Sequence, residues 1–197
     1  MLPIYATLIV VLLIGLLGYW IWQREPNPVA PRRKKTVREF LLELSDPRQE
    51  KLFSLYQQYE ELMLQAKGSK SKHQAWPGGY LDHIAETFRL SEMLYETLSH
   101  HYDLSFSLDS ALIVLFFHDW EKFFKSSDKY GFLKHTLPEK FGIALSSEEW
   151  NALCYVHGEG GDYDPYVRVM NELAGFVHSV DTLSARTFHQ AGREEGC

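Results

Sequence analysis

Cysteine is scarce: the 197 residues hold two, Cys154 and Cys197, with no CxxC spacing. That excludes a disulfide framework, and a reducing compartment fits. Positive charge is not in excess either. Lys and Arg number 20 against 26 Asp and Glu, a formal net charge of -6, which disfavours the sequence-independent attraction that extended nucleic-acid binding relies on. No segment alternates apolar and polar residues between hairpin turns, and no internal repeat is visible, so strand-based and solenoid folds are set aside. With 45% hydrophobic and 23% charged residues, the composition carries no sign of disorder and suits one ordinary domain plus a short appendage.

Charge is absent altogether from Leu2 to Trp22, LPIYATLIVVLLIGLLGYWIW. About 21 residues at the helical rise span roughly 30 Å of hydrocarbon, so one transmembrane helix is expected over residues 1–23 as an anchor in the membrane. Tyr19, Trp20 and Trp22 fall at headgroup level, and Arg24, Arg32, Arg33, Lys34 and Lys35 put positive charge on the same side. By the positive-inside rule the N-terminus lies outside and the C-terminal domain is cytoplasmic. A cleaved signal peptide fits less well, for want of a basic start and a small-residue cleavage site. Residues 24–35 read as a linker, since the three prolines of EPNPVAP deny helix and favour an extended spacer.

The remainder, 36–197, carries helical periodicity. Val37, Phe40, Leu41 and Leu44 share one face, as do Leu52, Leu55, Tyr56, Tyr59, Leu62 and Met63, which predicts two opening helices. After a break at Gly68 to Lys72, helices are predicted from about Leu81 to His100 and, very apolar, from Leu108 to Phe124. Ser146 with Glu149 three residues on is a capping box, and Gly158 suits the end of that helix. Asp164 before Pro165 predicts the start of the last helix. The expected fold class is all-α, a helical bundle preceded by one transmembrane helix.

The wholly apolar run Ala111 to Phe117 delivers His118 and Asp119 at its end, where an unpaired carboxylate is costly. A lone buried histidine is more often a hydrogen-bonded core residue than a ligand. Three other segments carry similar candidates, however: His83, His157, and His178 with Asp181. His178 and Asp181, three apart, project from nearly one helical face beside Ala174 and Val177. Imidazole and carboxylate donors without thiolate suit a divalent ion such as Mn²⁺, Fe²⁺, Zn²⁺ or Mg²⁺. His73, before the Pro77-Gly78-Gly79 turn, reads as a pocket-mouth or surface histidine with no chemistry assigned, and His100, His101, His135 and His189 read as structural or solvent-facing.

The order His83, then His118-Asp119, then Asp181 resembles the H…HD…D pattern of the HD-domain phosphohydrolase superfamily. HQAWPGGYLDHIAET, from His73 to Thr87, is similar to the HxxxPGGLLEHT segment of bacterial HD proteins, and HDWEK, from His118 to Lys122, to HDIGK. Trp120 and Glu121 depart from the Ile and Gly of HDIGK, and Tyr80 and Asp82 from the Leu and Glu of GGLLEH. The resemblance covers roughly residues 70 to 186. It implies a helical HD-type domain in which His83, His118, Asp119 and Asp181 hold one metal ion, with His157 and His178 as further ligands where two ions are present or as contacts to the phosphate or leaving group where there is one.

The resemblance also implies a metal-dependent phosphohydrolase acting on a small phosphorylated substrate, a nucleotide or cyclic nucleotide. Asp119 orients the attacking water, and Lys122, three residues on in the same helix, faces the phosphate; a solvated surface lysine is the alternative for Lys122. Two further readings stay open. One is a di-iron oxygenase on the same fold, as in myo-inositol oxygenase; the other is a non-catalytic nucleotide-binding sensor or assembly module.

Overall fold

Thr36 opens the first helix, α1 (Val37–Glu43), with a reciprocal cap: its hydroxyl accepts from the Glu39 amide, and the Glu39 carboxylate accepts from the Thr36 amide. Val37, Phe40 and Leu41 turn inward from it. The computed structural model describes residues 34–124 and 128–187, and the helices belong to a unit that begins at Lys35. α2 (Gln49–Gln65) buries Leu52, Leu55, Tyr56 and Met63. Both helices form where the apolar spacing places them, except that Leu62, expected on the inner face of α2, is 47% exposed.

α3 (Gly79–Ser99) buries Tyr80, His83, Ile84, Thr87, Phe88 and Ser91, a stripe at three- and four-residue spacing that sets His83 among core positions. Two glycines shape its start. Gly78 has φ +82, and a Cβ on Gly79 would lie 1.9 Å from the Gln74 carbonyl oxygen, so neither tolerates a side chain without movement.

α4 (Leu108–Phe117) starts at Ser107, whose hydroxyl accepts from the Ser110 amide. Every side chain from Ala111 to Phe117 is buried, each large one worth about 1.5–3 kcal/mol of transfer free energy. It packs against α3, α6 (Ser147–Tyr155) and α7 (Glu172–Thr187). Here the structure corrects the expectation of one helix to Phe124. The α-helix stops at Phe117, Asp119 leaves helical geometry at φ -113 and ψ 24, and Trp120–Lys122 form a 3-10 turn. Burial continues past the break, with Trp120 wholly enclosed by Phe116, Phe117, Phe123, Phe132 and Tyr59. Apolar content therefore carries no mark of the stop.

α5 joins Lys129–Gly131, a π-helical turn Phe132–Thr136 and Leu137–Phe141. α6 carries the expected capping box of Ser146 and Glu149. The start of α7 differs from expectation. Asp164 accepts from the amides of Tyr166 and Val167 in a local turn, while Asn171 caps the helix by accepting from the Ala174 amide at 2.7 Å. An Asx residue before proline serves a turn as well as a helix start, so that signal falls seven residues early.

The fold class is corrected to all-α alone. No strand occurs among the described residues, and no helix among them is long and apolar enough to cross a membrane. The expected anchor, residues 1–23, and the linker up to residue 33 lie outside the described residues. The single-pass placement, with its outside N-terminus and cytoplasmic domain, is accordingly withdrawn.

Candidate metal centre

Three helices, with the residue that ends one of them, deliver polar side chains to one buried point. His83 comes from the inner stripe of α3, His118 from the end of α4, Asp119 from the residue that breaks it, and Asp181 from the inner face of α7. His83 Nε2 lies 3.2 Å from His118 Nε2 and 3.1 Å from Asp181 Oδ1. His118 Nε2 lies 3.2 Å from Asp119 Oδ2 and 3.4 Å from Asp181 Oδ1, and His83 Nε2 is 3.7 Å from Asp119 Oδ2. The two imidazoles are fully buried and the two carboxylates nearly so.

Donor directions on the far side of each ring explain what these atoms offer. His118 Nδ1 donates to the Leu115 carbonyl at 2.6 Å. His83 Nδ1 meets Ser184 Oγ at 3.0 Å, and that hydroxyl donates to Glu86 Oε2 at 2.8 Å. Both rings thus turn Nε2 inward, toward two carboxylate oxygens. Ligand atoms about 2.1 Å from a common ion sit about 3.0–3.4 Å apart, close to the spacings found. His83, His118 and Asp181 each offer a ligand atom within 4.8 Å of the others; this buried group can hold a metal ion.

Charge at the centre follows from the same contacts. Burial opposes ionisation of Asp181, but hydrogen bonds from His118 first and then His157 overcome it and hold its carboxyl well below the usual range. Asp119 is held low in the same way, against burial, by His118 first and then by Lys122. His118 is raised to about 10 because the two carboxylates outweigh its burial, whereas burial lowers His83. One proton on His118 therefore takes the position a cation would take, and a metal ion bound there would displace it.

The carboxylates also present an outer side. His157 Nδ1 is 3.3 Å from Asp181 Oδ2, and its Nε2 is 3.8 Å from Asp119 Oδ1. Its side chain is 55% exposed, so the centre opens toward it. His178 is placed differently: Nδ1 bonds to the Val156 carbonyl at 2.8 Å, and its ring lies beside Gly158. Lys122 is part-buried, and its ammonium pairs with Asp119 and donates to the Gly68 carbonyl. That replaces the expectation of a lysine carried on the same α-helix, and it rules out a solvated surface lysine.

Four neighbours of the centre were not among the expected site residues. His73 packs its ring 5.2 Å from that of His83, and burial, with the charges of His83 and Lys122, lowers it to about 4. Glu86 and Ser184 form the hydrogen-bonded backing of His83, and Gln74 Nε2 donates to the same Glu86 oxygen at 2.6 Å. Glu86 follows His83 by three and Ser184 follows Asp181 by three, a helical spacing that puts each beside a ligand. Among the departures from the HD pattern, Trp120 fills the aromatic core and Tyr80 donates to the Phe116 carbonyl, while Asp82 accepts from the Trp76 indole.

Comparison with known proteins finds no family model, no curated protein and no solved structure that matches the chain.

Proposed function

We propose that the chain hydrolyses a phosphate ester, that of a nucleotide or cyclic nucleotide, using one or two divalent ions held by His83, His118, Asp119 and Asp181. The observation that carries this reading is the convergence of those four side chains, in the order H…HD…D, with inner atoms 3.1 to 3.7 Å apart. Nitrogen and oxygen donors of this kind suit Mn²⁺, Fe²⁺, Mg²⁺ or Zn²⁺. A divalent ion supplies Lewis acidity toward a phosphoryl oxygen and a water more acidic than bulk.

The chain's own groups account for the remainder. His83 and His118 aim Nε2 at the ion because their Nδ1 atoms are engaged behind them. Asp119 has one oxygen toward the buried histidines and the other toward His157, which would suit it to hold and orient a water on the His157 side. Lys122 sets a positive charge beside Asp119, where it offsets charge developing on the phosphoryl group. His157 borders the open side and serves as a further ligand or as a contact to the leaving group, whereas His178 is held at the Val156 carbonyl.

The test is to incubate the full-length chain with Mn²⁺ and a panel of nucleotides and cyclic nucleotides, beside Asp119→Ala. Hydrolysis is expected to fall on the order of a thousandfold or more in the variant. Equal product from the two proteins would sink the reading.

A further inference from the structure

We propose that Glu86 is a positioning residue: through the hydroxyl of Ser184 it fixes the tautomer of His83, so that the Nε2 lone pair faces the centre. The inference rests on the metal-dependent reading for what that lone pair serves, and not for its existence.

The direction of the chain of hydrogen bonds is set by what each group is able to do. An ionised carboxylate only accepts, and a serine hydroxyl has one proton to give. Ser184 Oγ lies 2.8 Å from Glu86 Oε2, so its proton goes there. The same Oγ, 3.0 Å from His83 Nδ1, is left as an acceptor, and the ring proton must sit on Nδ1. Ser184 and His83 are both 0% exposed, so no bulk water substitutes for either partner. The other tautomer would aim a proton from Nε2 at His118 and Asp181, where a cation belongs.

A second set of contacts holds Glu86 itself in place. Gln74 Nε2 donates to the same Oε2 at 2.6 Å. Gln74 is 4% exposed and adopts φ 41, a left-handed conformation that costs energy for a residue with a side chain. Its carbonyl accepts from the Gly68 amide at 2.9 Å and lies where a Cβ on Gly79 would be. The loop before α3 is thereby built around the residue that orients Glu86, and its Gly68 carbonyl also receives Lys122.

Glu86→Leu tests this by removing the acceptor at similar volume. With no carboxylate to receive it, the Ser184 hydroxyl proton turns to His83 Nδ1, and the ring proton moves to Nε2, 3.1 Å from Asp181 Oδ1. Nitrogen NMR of histidine-labelled, metal-free, full-length protein at mildly alkaline pH reads the tautomer, and calorimetry with Mn²⁺ reads the affinity. Wild type is expected to hold the Nδ1–H form, Glu86→Leu to shift to Nε2–H, and Mn²⁺ affinity to fall about 10- to 100-fold. Ser184→Ala, with Glu86 intact, is expected to lose the fixed tautomer as well. An unchanged Nδ1–H form in both variants overturns the proposal, as does wild-type Mn²⁺ affinity in Glu86→Leu. A tautomer switch between wild type and Glu86→Leu in a protein that binds no Mn²⁺ upholds the positioning role and removes the hydrolase reading, so the two fail separately.

Discussion

The Arg48 guanidinium uses all five of its N–H donors: two to Asp46, two to Glu149 and one to the Ala144 carbonyl, at 2.6 to 2.8 Å. Glu149, 2% exposed, also accepts from the Ser146 amide at 2.9 Å. This cluster joins the start of α2 to α6 and completes itself from protein groups alone. The centre around His83, His118, Asp119 and Asp181 is buried to a similar degree, but its imidazole donors face outward at Nδ1 while ring nitrogens and carboxylate oxygens face one another. A buried charge cluster with every group matched holds a fold together; one that turns ring nitrogens and carboxylate oxygens toward a common point can hold a metal ion.

Breaking the closed cluster is expected to have the largest effect. Arg48→Ala leaves two carboxylates without their partner and is expected to lower the unfolding free energy by roughly 3–5 kcal/mol in urea denaturation. A loss below about 1 kcal/mol would class it with surface pairs. Next in size is an addition to the open cluster. Mn²⁺ at about a hundred times its Kd is expected to raise the unfolding free energy by about 2.7 kcal/mol. Thermal unfolding should show the gain in wild type and in Ser146→Ala, and its absence in Asp181→Asn; an equal gain in Asp181→Asn would put the ion elsewhere.

Acid sensitivity separates the clusters on a smaller scale. Hydrogen bonds from the Arg48 guanidinium hold Asp46 below its ordinary 3.8. With the folded value depressed, its contribution is complete above 3.8 and is lost as pH falls through the lower folded value. Asp46→Asn should flatten the stability curve over that window, and superimposable curves would remove the link. Smallest is Ser146→Ala, which takes one cap from α6 and is expected to cost about 1 kcal/mol. Mn²⁺ affinity should not change in that variant, and a changed affinity would mean that the two clusters communicate.

Local signals read well. The faces of α1 and α2 and the Ser146–Glu149 box follow from spacings of three and four residues, which a helix converts directly into neighbours. The end of α4 does not read, because ALIVLFF and the aromatic residues after it are buried on every side and periodicity has nothing to mark. Asn171 escapes notice as a cap for α7 because Asp164 and Pro165 offer the stronger local pattern. Arg48 with Glu149 and Glu86 with Ser184 join positions 101 and 98 residues apart, and no local rule connects them.

The sequence by itself determined the helical class and the residue types at His83, His118, Asp119 and Asp181, since composition, periodicity and order in the chain are properties of the string. Tertiary structure decided which of them meet: His157 on the open side, His178 at the Val156 carbonyl, Lys122 against Asp119, and Glu86 and Ser184 behind His83. The reason is physical. Hydrogen bonding and ligation act over about 3 Å, and only the packing of α3, α4 and α7 brings residues so far apart in the chain within that reach.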